Sequence, residues 1–422
     1  MNRKNFDFDV ITLLLFLVIA LYGWMNVYSV SSEGGLADIW DPKSAHGRQL
    51  IWLGMALVTI ILTAFLDYRL VINSSYFLYG ISIFLLLLTL IFGREVNGAR
   101  SWLYIGGQSF QPSEFAKFST AMALAKYISN LQFSMKRIRN ILTSIVIILV
   151  PALIIILQND TGSALVFGAF FLVLFREGVS PLVPAFLLII LSVCVMTLGL
   201  SNQWIVSGII VGLGLLSFLL FFNKKTILRS SIIHVIAISF FLGLSFSTKL
   251  LVERLPKHQQ DRIMVLFDPW VDPLGKGYNV IQSKIAIGSG GVIGKGFLEG
   301  NYTRYKFVPK QETDFIFCTV GEEWGWLGTT MTLILFFLFL WRVQYISENS
   351  KTHFARIYGY GVFSVFLFHI IVNVGMTVGL VPVIGIPLPL FSYGGSAIIA
   401  FTALTAVLIN LYSHRVAILG AK

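Results

Sequence analysis

The chain alternates long apolar runs with short polar connections. Twelve runs stand out: 10–30, 49–66, 76–92, 113–130, 140–158, 161–175, 181–200, 204–222, 231–248, 314–341, 358–379 and 393–412. A helix crosses a bilayer with about 20 apolar residues, and these runs meet or approach that length. The pattern predicts an all-α polytopic membrane bundle of about 10–12 transmembrane helices. The first run is too long for the apolar core of a signal peptide and leads into no clean small-x-small site, so it reads as the first span. The least apolar, 113–130, carries Glu114 and Lys117. Between 249 and 313 the pattern lapses into one large polar loop.

Basic residues orient the spans, because cytoplasmic connections are enriched in Lys and Arg. With both termini in the cytoplasm, the inner connections hold Arg69, Lys126, Lys136, Arg137, Arg139, Arg176, Lys224, Lys225, Arg229, Arg342, Lys351 and Arg356. The short outer connections hold only Lys43, Arg48, Arg94 and Arg100. The loop 249–313 then lies outside the cytoplasm. A net charge of +11 would suggest nucleic acid in a soluble protein. Here inner basic loops and a basic outer surface for an anionic substrate account for it, and no nucleic acid is expected. Cys194 and Cys318 both sit in apolar runs, which excludes a disulfide framework or a Cys-rich metal site. The six histidines form no H-x-x-x-H pair, and no phosphate-loop, G-x-S-x-G or dinucleotide fingerprint occurs in a fitting context.

The candidate chemistry is concentrated in the outer loop. It carries glycines at 275, 277, 288, 290, 291, 294, 296 and 300, interleaved with Lys276, Lys284 and Lys295. Clustered backbone N–H groups can cradle phosphate oxygens, so Ser289, Gly290 and Gly291 with these lysines form a candidate anion site; an ordinary Gly-rich loop is the alternative. Asp268 and Asp272 each precede a proline. That spacing favours turns and also suits a general base or a cation ligand. Glu114 and Lys117 share one helix face at i,i+3. Intramembrane charges usually pair or face a cavity, so these two read as a salt bridge, with each other or with Asp160, or as support for a site. Asp160, in Gln158-Asn-Asp-Thr-Gly162, is a candidate N-cap. Asp314, Glu322 and Glu323 open the tenth run and are expected to face a water-filled cavity, or, for Asp314, to cap the helix. The stretch 379–396 has three prolines and four glycines, cannot be regular helix, and is expected to wall the site from outside.

Five segments carry a resemblance. They are Val96-Asn-Gly-Ala-Arg-Ser-Trp102; Gln111-Pro-Ser-Glu-Phe-Ala-Lys117; Phe267-Asp-Pro-Trp-Val-Asp-Pro-Leu-Gly-Lys-Gly-Tyr278 with Gln282-Ser and Ala286-Ile-Gly-Ser-Gly-Gly291; Thr313-Asp-Phe-Ile-Phe317 with Gly321-Glu-Glu323; and Ser392-Tyr-Gly-Gly-Ser396. In this order, across most of the chain, they resemble the SEDS family (shape, elongation, division and sporulation), most closely its RodA branch, related to FtsW. The resemblance implies one integral membrane domain over 1–422 that polymerises lipid II on the outer face of the bacterial plasma membrane. It also implies work beside a class B penicillin-binding protein and other elongation-complex membrane proteins. The family's essential Asp falls on Asp272, its Glu and Lys on Glu114 and Lys117, and its Asp-x-Gly position on Asp160. The family usually has about ten spans, which makes 204–248 a surplus helix pair. Phe307-Val-Pro-Lys310 replaces a segment that commonly ends in Pro-Glu, so a lysine stands where the family commonly has that carboxylate.

On this reading Asp272 is the catalytic base. Arg100, Lys276, Lys284, Lys295, Arg304 and Lys306 are candidates to neutralise the leaving pyrophosphate. No cofactor is certain; a divalent cation, Mg or Mn, held by Asp272 would serve the same end. The rival readings are a lipid II flippase, a non-catalytic scaffold for the transpeptidase, and an O-antigen ligase-like enzyme.

Overall fold

A computed structural model describes residues 9–32, 38–96, 98–200, 202–220, 227–255, 257–268 and 276–414. Among them, ten helices are long and apolar enough to cross a membrane, and the protein is a multi-pass membrane protein. They are α1 (Val10–Ser31), α2 (Ala45–Phe65), α4 (Ser75–Phe92), α6 (Ile138–Leu157), α9 (Leu182–Gly199), α10 (Gln203–Leu220), α11 (Ile227–Glu253), α15 (Ile316–Asn349), α16 (His353–Thr377) and α17 (Gly395–Ser413); the short α3 (Tyr68–Asn73) lies between α2 and α4. The other two predicted spans are also helical. Run 113–130 is α5 (Pro112–Ile128), and run 161–175 is a helix interrupted by the 3₁₀ turn Phe167–Phe170 between α7 (Thr161–Val166) and α8 (Phe171–Arg176).

The helices start and stop where local chemistry dictates. Ser44 caps α2 through a bond accepted from the Gly47 N–H, and Asp160 caps α7 by accepting from the Ser163 N–H. Pro112 opens α5 at a position where its missing N–H costs no helix bond. The side chain of Asp9 accepts from Thr12 at the start of α1 and pairs with Arg342 near the end of α15.

Two compact units form, 1–178 with 279–422, and 179–278. In the first, α5 lies among α4, α6, α16 and α17. This explains why a charged helix tolerates its position: nearly all its residues are buried in protein and do not face lipid. A small antiparallel sheet, absent from the hydropathy reading, links α4 to α5: β1 (Arg94–Val96), β2 (Ala99–Ile105) and β3 (Gln108–Phe110) in the order β1-β2-β3. Along β2, Ser101 and Leu103 are buried while Arg100 and Tyr104 face out, the alternation of a one-sided sheet. In the second unit α9, α10 and α11 pack together around Val193, Val206 and Ile210. The surplus pair assigned to 204–248 corresponds to α10 and α11.

The large polar loop is more ordered than its composition suggests. Within the expected 249–313, α11 runs on to Glu253, and α12 (Lys257–Met264), α13 (Lys276–Ser289) and α14 (Asn301–Arg304) follow. Asn279, Val280, Ser283 and Ala286 of α13 are buried, a spacing that places them on one helix face.

Candidate functional site

The first cluster is built on α5. The ammonium of Lys117 lies 2.7 Å from Glu114 Oε1, with the side chains 1% and 3% exposed. The expected pair therefore forms between these two residues. Asp160 instead joins Gln111, whose Nε2 donates to Asp160 Oδ2 at 3.1 Å, and Asp160 caps α7. A third partner escaped the sequence reading: Lys117 Nζ is 2.9 Å from His369 Nε2 on α16. The available signal was the i,i+4 spacing of His369 and Asn373 in the otherwise apolar stretch 365–376.

Those two residues hold the irregular segment 378–394. His369 Nδ1 lies 3.0 Å from the Pro387 carbonyl, and Asn373 Nδ2 donates to the Ile386 carbonyl at 2.8 Å and to that of Asp314 at 2.9 Å. Ser392 Oγ bonds the Thr313 carbonyl at 2.5 Å and accepts from the Leu388 N–H, while Gln49 Nε2 donates to the Ser392 carbonyl. Non-helical backbone at membrane depth survives when protein supplies its partners, and these side chains do so. The Asp314 carbonyl is thus engaged, and the residue before α15 is Phe315, so Asp314 is not its cap.

The second cluster joins the Gly-rich segment to α15. Glu322 is fully buried and accepts from Lys295 Nζ at 2.7 Å, the Tyr302 N–H at 2.9 Å, and the Thr303 N–H and Oγ1 at 2.8 Å each. Glu323 is also buried and bonds Ser29 Oγ. These two carboxylates do not face a water-filled cavity as expected; protein donors hold them. Helix α15 breaks at Gly325, where φ is 65° and ψ −158°, and the Gly-rich backbone repairs the break. Lys295 and Gly296 N–H groups donate to the Glu322 and Glu323 carbonyls, and Trp326 and Leu327 N–H groups donate to the Gly291 and Val292 carbonyls.

The glycines thus have packing duties. A Cβ on Gly290 would strike the Gly321 carbonyl, and one on Gly294, at φ 89°, would strike that of Glu323. The amides of Gly290 and Gly294 bond the Ile287 and Gly290 carbonyls, so neither is free for an anion. Ser289 Oγ donates to the Ala286 carbonyl. Of the candidate cations, Lys295 is engaged by Glu322, Lys284 is exposed on α13, and Arg304 is exposed at the end of α14. Arg100 projects from β2, 59% exposed and 3.8 Å from Glu95. Asp272 and the side chain of Lys276 lie outside the described residues. Among the described residues, no three His, Cys, Asp or Glu side chains come together as a metal site.

Comparison with known proteins matches the pattern of the FtsW/RodA/SpoVE cell cycle protein family to residues 9–213 and 179–417. The peptidoglycan glycosyltransferase RodA of Treponema pallidum is 33% identical, over 97% of this chain and 98% of the relative. The peptidoglycan glycosyltransferase MrdB of Escherichia coli K12 is 32% identical, over 98% and 97%. Among solved structures, a chain from work on how a peptidoglycan synthase complex coordinates polymerization and crosslinking superposes with a TM-score of 0.69 at 29% identity, over 97% of this chain and 98% of that one.

Proposed function

We infer the activity of this chain from its kinship: it belongs to the FtsW/RodA/SpoVE family of cell cycle proteins, and it is a peptidoglycan glycosyltransferase. The observation that carries this reading is end-to-end similarity, at 33% identity, to a relative bearing that activity in its name. The substrate in this proposal is lipid II, polymerised on the outer face of the bacterial plasma membrane during elongation and shape maintenance, with both termini cytoplasmic. The proposed partner is a class B penicillin-binding protein. The similarity to a chain of a complex that coordinates polymerization and crosslinking supports that pairing.

In the proposed reaction Asp272 removes the proton from the acceptor sugar's 4-hydroxyl. That oxygen attacks the anomeric carbon of the donor, and the lipid pyrophosphate leaves with inversion at that carbon. A single carboxylate acting as base suits one displacement; a covalent double displacement would need a second placed nucleophile. The leaving group requires positive charge. Of the candidates, Lys284, Arg304, Lys306 and Arg100 are exposed. A Mg or Mn ion held at Asp272 would supply the same charge. Glu114, Lys117 and Asp160 support the site and do not react.

The test is polymerisation of labelled lipid II by the purified protein, with and without its transpeptidase, comparing wild type with Asp272→Ala. Long glycan chains lost in a folded mutant support the reading. Undiminished polymer from the mutant removes Asp272 from the mechanism. No polymer from either protein, with the partner present, favours a flippase or a scaffold.

A further inference from the structure

We propose that His369 is a positioning residue that shares the Lys117 ammonium with Glu114 and fixes it beneath the irregular segment 378–394. The inference rests on the glycosyltransferase reading above.

Hydrogen-bond chemistry determines the state of the imidazole. An ammonium offers only donors, so His369 Nε2, 2.9 Å from Lys117 Nζ, must accept. A peptide carbonyl only accepts, so Nδ1, 3.0 Å from the Pro387 oxygen, must carry the proton. Both ends demand the same neutral tautomer. His369 is fully buried, and a ring locked at both nitrogens has no freedom to turn.

Lys117 reaches only Oε1 of Glu114; Oε2 is buried and has no hydrogen-bond partner. An unsatisfied buried carboxylate oxygen is costly and is rare enough in native proteins to require a reason. The histidine and Glu114 hold the ammonium in a three-way arrangement with Phe401, whose ring centroid is 5.6 Å from Nζ. His369 thereby links an intramembrane cation on α5 to the backbone of the segment that walls the outer side.

The experiment uses full-length protein and labelled lipid II with the cognate transpeptidase, together with thermal unfolding of each variant. Misplacing a positioned group costs up to roughly 100-fold in rate, so His369→Phe should lower kcat by about 10- to 100-fold with KM little changed. In a Lys117→Met background the same change should cost nothing further in kcat, because residues that act through one another are not additive. Conservative variants separate the two contacts. The amide oxygen of His369→Gln reaches the place of Nε2 and should restore kcat, whereas His369→Asn keeps a donor near Pro387 and should not. Additive losses in the double variant, a wild-type kcat for His369→Phe, or better rescue by Asn than by Gln would each overturn the proposal. If wild type itself made no polymer, the activity reading would fail. The unfolding temperatures would still decide whether His369 acts on Lys117, since additive shifts would refute the coupling.

Discussion

Replacing Glu322 with alanine should loosen the junction between the Gly-rich segment and α15. The carboxylate accepts four hydrogen bonds, from Lys295 Nζ, the Tyr302 and Thr303 N–H groups and Thr303 Oγ1. Lys295 is 26% exposed and can turn to water, so its share is set aside. Thr303 Oγ1 keeps the bond it accepts from Gln311 Nε2, and its rotatable O–H can turn to another acceptor. The two backbone donors have no such recourse, and each orphaned donor costs about 1–3 kcal/mol. Because Tyr302 is only partly buried, about 3 kcal/mol in total is reasonable on that scale. This raises local opening by roughly two orders of magnitude. Hydrogen–deuterium exchange of the protein in nanodiscs reads this directly. The informative amides are those of Lys295 and Gly296, which donate to the Glu322 and Glu323 carbonyls and not to the deleted side chain. They should exchange about 100-fold faster, while amides of α16 remain unchanged. Glu322→Gln should fall between, since its amide oxygen still accepts but its NH₂ confronts donors. Unchanged exchange at residues 294–304 in the alanine variant would show that Glu322 does not hold this junction.

Two further outcomes follow from geometry. Gly325→Ala places a side chain at φ 65°, where the Cβ meets the Gly294 N–H and the Val292 carbonyl; it should lower the unfolding temperature and the yield of folded protein more than Gly54→Ala, where a Cβ meets nothing. Arg100→Ala should leave the unfolding temperature within experimental error, because an exposed pair at 3.8 Å contributes little. Any loss of lipid II polymerisation in that variant would then report on substrate and not on folding, and unimpaired polymerisation would remove Arg100 from the candidate counter-charges.

Helix existence was legible in the chain because membrane helices are specified locally: about 20 apolar residues must satisfy their backbone bonds within the segment. Every predicted span has a helix in the structure, including the charged α5. The Glu114–Lys117 pair and the Asp160 cap were readable for the same reason, since their partners lie within one helical turn. Composition alone does not show where the glycines pack. A run rich in glycine suggested an anion cradle; α13 covers 276–289, and beyond it Gly290 and Gly294 serve close backbone approach to α15.

Only the tertiary structure decided the rest. Lys295 meets Glu322 across 27 residues, and Lys117 meets His369 across 252; no local pattern encodes such distances. Glycines at 321, 325 and 328 in α15 do not announce which of them breaks the helix, because an isolated glycine is tolerated in one. It is the 291–296 backbone, arriving from another part of the chain, that supplies the missing hydrogen bonds. Apolar runs determine which segments enter the membrane, because lipid leaves the backbone no outside partner. Which buried polar groups meet there depends on helix packing, where each must find its partner inside the protein.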